Sequence, residues 1–155
     1  MKKVLVINGP NLNLLGSRDP EIYGADTLQD VEKMLNEYLI ENKIEREFEV
    51  QFFQSNHEGD LIDFIQDNSK NSYGIIINPG GLTTVGFSLL DALIDSKKIS
   101  IEVHISDIHK REEFRRNSIF PNYCVSQTSG LGVLGYVHAL ADICTLISAE
   151  GKDGI

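Results

Sequence analysis

Basic residues are scarce in this chain of 155, with 14 Lys and Arg against 23 Asp and Glu and a formal charge of −9. A nucleic-acid binder needs a basic surplus to neutralise phosphate, so that class is disfavoured. Cysteine is scarce too. Cys124 and Cys144 are too far apart for a redox CxxC pair and too few for a disulfide framework, and they read as two reduced thiols. Long apolar runs are missing. The run Val4 to Ile7 stops at Asn8, short of the ~7–15 residues of a signal-peptide core. No other run approaches the ~18 residues of a membrane span. No internal repeat or low-complexity linker is visible. What is there is 41% hydrophobic and 24% charged residues, an ordinary globular composition. A chain of this length buries roughly 68–70% of its unfolded surface and holds a core without staples. We expect one soluble, cytoplasmic domain over residues 1–155, with a frayed tail at 149–155.

Short β-rich runs alternate with helix-period segments. Val4 to Ile7 is continuous and apolar, fit for burial on both faces. Leu28, Val31, Leu35, Tyr38 and Leu39 then keep helical spacing behind Thr27, an N-cap residue with Asp30 three positions on. Further strands are expected over Phe48 to Phe53, Ile75 to Ile77, Ile99 to Val103 and weakly near Val125. Helices are expected on Leu61, Ile62 and Ile65, on Leu89 to Ile94, around Arg111 to Arg115, and through Leu134 to Cys144. Five strands alternating with helices give an α/β fold with a parallel sheet flanked by helices, because parallel strands need crossovers.

Ligands of such sheets sit beyond the carboxyl ends of the strands. Four expected ends run into Asn8-Gly9-Pro10-Asn11, Ser55-Asn56-His57-Glu58, Asn78-Pro79-Gly80-Gly81 and His104-Ile105-Ser106-Asp107. Asn, Gly and Pro are ordinary turn formers, yet the recurrence of Asn and His favours a polar site. The segment from Gly16 to Gly24 holds Arg18 and Tyr23 between glycines, as a lid would. Tyrosine is a poor base at neutral pH, and lowering its pKa by about three units needs ~4 kcal/mol. A nearby guanidinium supplies part of that; a lid tyrosine that merely packs is the alternative. Glu102 and His104 are two apart on one strand and share a face. A carboxylate fixes the tautomer of such an imidazole and suits it to general acid work, although a strand-end histidine is also a common core residue. Arg111 and Arg115, four apart, are expected on one helix face, where they hold a carboxylate or hydroxyls, or pair with Glu112 and Glu113.

Several chemistries find no support. Gly130 to Gly135 fits GxGxxG but stands near the C-terminus with no strand after it, so it reads as close entry of the last helix. Asn78 stands where a phospho-receiver on this fold needs an aspartate. The four histidines lack metal-ligand spacing. No GxSxG elbow exists for a serine hydrolase. Proton transfer on a small oxygen-rich molecule, without cofactor or metal, is what remains.

The ordered blocks Ile7-Asn8-Gly9-Pro10-Asn11-Leu12-Asn13-Leu14-Leu15-Gly16, Arg18 with Ile22-Tyr23-Gly24, Gln54 to Gly59, Ile77 to Gly80, Glu102 to Ser106, Arg111 to Arg115 and Gly132 to Tyr136 resemble the signature of type II 3-dehydroquinate dehydratases. The likeness runs over roughly residues 4 to 147. It implies a flavodoxin-like fold and the reversible dehydration of 3-dehydroquinate to 3-dehydroshikimate, without metal, cofactor or Schiff-base lysine. By position it implies Tyr23 as base, Arg18 holding it as phenolate, and Asn11 placing a water that stabilises the enolate. It implies His104, oriented by Glu102, as the acid. Asn78 and the backbone N–H groups of Ile105 and Ser106 would grip the substrate carboxylate. Arg115 would bind ring hydroxyls, and Arg111 would close with the lid. Trimers grouped into a homododecamer are implied, Asp91 reaching a neighbour's site.

The chain also departs from that pattern. Thr84 stands where a histidine usually contacts ring hydroxyls, Leu90 where an arginine is usual, and Asp107 where an asparagine is usual. These changes spare the proton-transfer residues and predict weakened affinity with the chemistry retained. A non-catalytic relative that binds a dehydroquinate-like cyclic acid is the alternative reading.

Overall fold

The structure, a computed structural model, describes residues 1–151 of the chain. Strands β1 (Lys2–Asn8), β2 (Phe48–Gln54), β3 (Gly74–Asn78), β4 (Ile99–His104) and β5 (Ser126–Ser129) form one sheet in the order β2-β1-β3-β4-β5, every neighbouring pair parallel. The helices are α1 (Pro20–Tyr23), α2 (Leu28–Glu41), α3 (Glu58–Asn68), α4 (Phe87–Ser96), α5 (Glu113–Arg116) and α6 (Leu134–Glu150). Alternation along β1 assigns the two layers. Val4 and Val6 join Leu35, Tyr136, Leu140 and Ile143 under α2 and α6, whereas Leu5 and Ile7 join Leu61, Ile65, Leu89 and Leu93 under α3 and α4. Burial on both faces is why the strands read as apolar runs.

Helix α2 starts where the sequence places it. The Thr27 hydroxyl accepts from the Asp30 amide, and the Asp30 carboxylate accepts from the Thr27 amide, a reciprocal cap worth about 1 kcal/mol. Two expectations are corrected. Arg111 and Arg115 do not share a helix, because Arg111 is extended after a 3-10 turn (Ile108–Lys110) and α5 begins only at Glu113. Nor does the chain fray at residue 149, since α6 continues through Glu150; residues 152–155 lie outside the described residues. Strand order reverses between β1 and β3, which opens a crevice at their carboxyl ends.

Candidate active site

The loops after β1 and β3 approach closely because of glycine. A Cβ on Gly9 would lie 2.3 Å from the Pro79 carbonyl oxygen, and the Gly9 amide donates to the Asn78 carbonyl at 2.8 Å. Asn11 follows with φ of 68°, its amide held by the Asn56 side chain at 2.9 Å. The end of β2 was expected among the cleft residues. Instead Asn56 braces Asn11, Glu58 accepts from the Leu89 amide, and no side chain from 55–58 lines the cleft.

The cleft is small, with about 100 Å³ of open space between its walls. Asn11, Arg18 and Tyr23 line it from the loop after β1, and Asn78 and Thr84 from β3 and the 3-10 turn after it (Gly80–Thr84). His104, Ile105, Ser106, Arg111 and Arg115 line it from β4 and the segment that follows. Glu102 lies beneath His104, fully buried. Asp91 is exposed on α4, away from this cleft, and Leu90 packs in the core under α4.

Tyr23 sits among cations. The Arg18 guanidinium lies over the ring face, 4.8 Å from its centre, while Arg111 Nη2 donates to the phenol oxygen at 3.2 Å and also to Ser106 Oγ. Both arginines thus meet Tyr23, Arg18 at the ring face and Arg111 at the phenol oxygen. Arg115 is clasped by Glu112 through three contacts of 2.7–2.9 Å, the pairing that was the alternative for these arginines. Its guanidinium and the backbone amide of Glu112 also draw the Glu112 carboxyl below its usual range, the backbone hydrogen bond first.

At the end of β4, His104 Nε2 is 2.5 Å from Glu102 Oε1. That oxygen also accepts from Ser118 Oγ, and Gln127 Nε2 donates to Oε2 at 2.9 Å. An ionised carboxylate only accepts, so the ring proton belongs on Nε2 and Nδ1 is left for the cleft. Asn78 Oδ1 accepts from the Gly80 amide, and its Nδ2 donates to Tyr136 Oη at 2.9 Å. Tyr136 in turn donates to Asn8 Oδ1. The Ile105 and Ser106 amides have no acceptor among the described residues and are free for an anion.

Tyr136, Ser118 and Gln127 were not singled out, and Asn8 only as one of the strand-end residues. Tyr136 lies on the buried stripe of α6, and a buried tyrosine needs a partner for its hydroxyl; that was the available signal. Gln127 is the β5 partner of Glu102 in the β4–β5 register, which no spacing in the sequence reveals. The four histidines come together in no metal cluster among the described residues. Gly135 meets Thr128 and Val103 at 3.2 and 3.5 Å where a Cβ would stand, the close helix entry expected of GxGxxG here.

A family model described as dehydroquinase class II matches residues 2–144. A protein of Halothermothrix orenii named 3-dehydroquinate dehydratase is 51% identical over 95% of this chain and 97% of its own length. One of the same name from Endomicrobium trichonymphae is 48% identical over 95% of this chain and 100% of its own. The crystal structure of a type II dehydroquinase from Butyrivibrio crossotus superposes with a TM-score of 0.85 at 43% identity, over 92% of this chain and 97% of that one. With its sheet order, its cleft and these likenesses taken together, the chain belongs to the class II dehydroquinase family.

Proposed function

We propose that this protein catalyses the reversible dehydration of 3-dehydroquinate to 3-dehydroshikimate, a hydro-lyase step of the shikimate route to aromatic compounds. The observation that carries the reading is that two unlike proton carriers line one cleft. Tyr23 is met by two guanidiniums, and His104 is backed by a buried carboxylate. The tyrosinate form of Tyr23, its charge answered by Arg18 and Arg111, removes the proton next to the ketone. The enolate oxygen is met by a water placed by Asn11. His104 then gives its proton to the departing hydroxyl, which leaves as water, and the ring double bond forms. Asn78 and the amides of Ile105 and Ser106 hold the carboxylate, and Thr84 faces the ring hydroxyls. Arg115 leaves Glu112 for those hydroxyls at small cost, since an exposed ion pair is screened by solvent. No step calls for a metal or cofactor.

The assembly belongs to the same proposal. Phe87, Asp91 and Ile94 recur at helical spacing along α4 and are all exposed, Phe87 at 61%. This half-apolar face suits contact with a second copy of the chain, and the assembly proposed is a homododecamer built from trimers, in which Asp91 reaches a neighbour's cleft. A cytoplasmic setting is supported by two free cysteines. Among the described residues no helix is long and apolar enough to cross a membrane.

The test adds 3-dehydroquinate to the purified protein and to Tyr23→Phe and follows the ultraviolet absorbance of the conjugated enone. Turnover by the wild type and near-silence in the variant are expected. Turnover by both would remove Tyr23 from its role. Binding without turnover by either would establish the non-catalytic reading.

A further inference from the structure

The carboxylate behind His104 is held by residues outside its own strand. Glu102 is fully buried, and a buried carboxylate persists as an anion only when donors meet it. Gln127 stands directly across the β4–β5 ladder from it and donates to Oε2 at 2.9 Å. Ser118, from the segment after α5, donates to Oε1. The other end of the Gln127 amide is fixed as well, with Oε1 3.3 Å from Nε2 of His109 on the exposed 3-10 turn. Turned the other way, the amide would set its oxygen against the carboxylate, acceptor against acceptor. A line of polar contacts thus runs from His109 at the surface through Gln127 and Glu102 to His104 in the cleft.

We propose that Gln127, oriented by His109 and assisted by Ser118, is a positioning residue that keeps Glu102 ionised and acceptor-only. His104 then holds its Nε2 proton toward the carboxylate and turns Nδ1 to the substrate. The imidazolium is the form able to give a proton to a leaving hydroxyl, and the buried anion is what favours it. Without the Gln127 donor, the carboxylate loses one of its hydrogen-bond partners and its hold on the His104 Nε2–H weakens. The inference rests on the dehydratase reading of the same cleft, but the state of the ring is observable without turnover.

The test is Gln127→Met, close in length but without a donor, beside Ser118→Ala and Ser118→Thr. For Gln127→Met we expect kcat to fall roughly 10- to 100-fold, a fraction of the ~10²–10⁴ that a general acid contributes. KM should stay within about twofold, as a group acting only in the transition state requires. Ser118→Ala should fall in the same direction and Ser118→Thr, which keeps the hydroxyl, should recover. The ¹⁵N spectrum of His104 in the resting enzyme should lose its Nε2–H pattern in Gln127→Met. Wild-type kcat with an unchanged ¹⁵N spectrum, or a loss confined to KM, overturns the proposal. If Gln127→Met does not fold, His109→Leu at the surface decides. A smaller kcat loss with a shifted His104 spectrum supports the role, and neither change overturns it. A wild type that binds but does not turn over 3-dehydroquinate would sink the dehydratase reading, while the ¹⁵N comparison would still decide the role of Gln127.

Discussion

Thr84 lines the cleft with a short hydroxyl, where the resemblance implies a longer imidazole. A lost hydrogen bond to a bound hydroxyl costs roughly 0.5–1.5 kcal/mol. Thr84→His should therefore lower KM a few-fold at nearly constant kcat, read in the enone assay; an unchanged or higher KM would show that Thr84 already suffices. Tyr136 acts at greater depth. Its hydroxyl joins Asn8 to Asn78, and Tyr136→Phe leaves two buried asparagines each short of a partner. Each unsatisfied group costs about 1–3 kcal/mol, so the urea midpoint should drop. KM should rise as Asn78 loses its fixed orientation. A midpoint equal to the wild type would mean that water takes the place of the hydroxyl.

Elements meet at this site by close approach of backbone. Gly9→Ala would drive a Cβ to 2.3 Å from the Pro79 carbonyl oxygen, so the loops after β1 and β3 must separate. We expect a destabilisation of about 1–3 kcal/mol by urea unfolding and a marked loss of kcat/KM, because Asn11 and Asn78 ride on those two loops. Wild-type stability would show that the crevice opens freely. The elements that the sequence made legible are those with long periodic patterns or a local signature: the apolar strands, α2 behind its Thr27–Asp30 cap, and the strand-spaced pair Glu102 and His104. Short elements without periodicity were misread, as at Arg111, where four residues of α5 carry no helical period of their own. Which cation would meet the Tyr23 oxygen was hidden as well. Arg18 is five residues from Tyr23 and Arg111 is 88, so only tertiary folding brings the second one near. Gln127 and Ser118 were invisible for the same reason, since a ladder register and a returning loop deliver them.

Across the whole molecule, buried groups that prefer to stay neutral set the alkaline limit of stability. Burial pushes the Cys124 and Cys144 thiols up to about 12 from 9.0, and burial pushes the Tyr136 hydroxyl upward too. A folded value raised above the unfolded one means that stability is full below the unfolded pKa and is lost as pH rises from there toward the folded value. The urea midpoint should hold to about pH 9 and fall between pH 9 and 12, and Cys124→Ala with Cys144→Ala should lessen that fall. An unchanged slope in the double variant would assign the alkaline loss elsewhere. Assembly has its own test. Sedimentation of the wild type should give a species many times 17.3 kDa, and Phe87→Glu should reduce its size and its activity together. A wild-type monomer would leave Asp91 with no neighbouring cleft to enter. The contact between Asn8 and Tyr136 spans 128 positions of chain, and this bears on when the cleft comes into being. During synthesis β1, β2 and β3 can pair before α6 exists, with the asparagines at the ends of β1 and β3 still unanswered. Only after residue 136 has left the ribosome does the hydroxyl that aligns them arrive. The alignment of the cleft's two asparagines thus waits on one of the longest-range contacts in the fold.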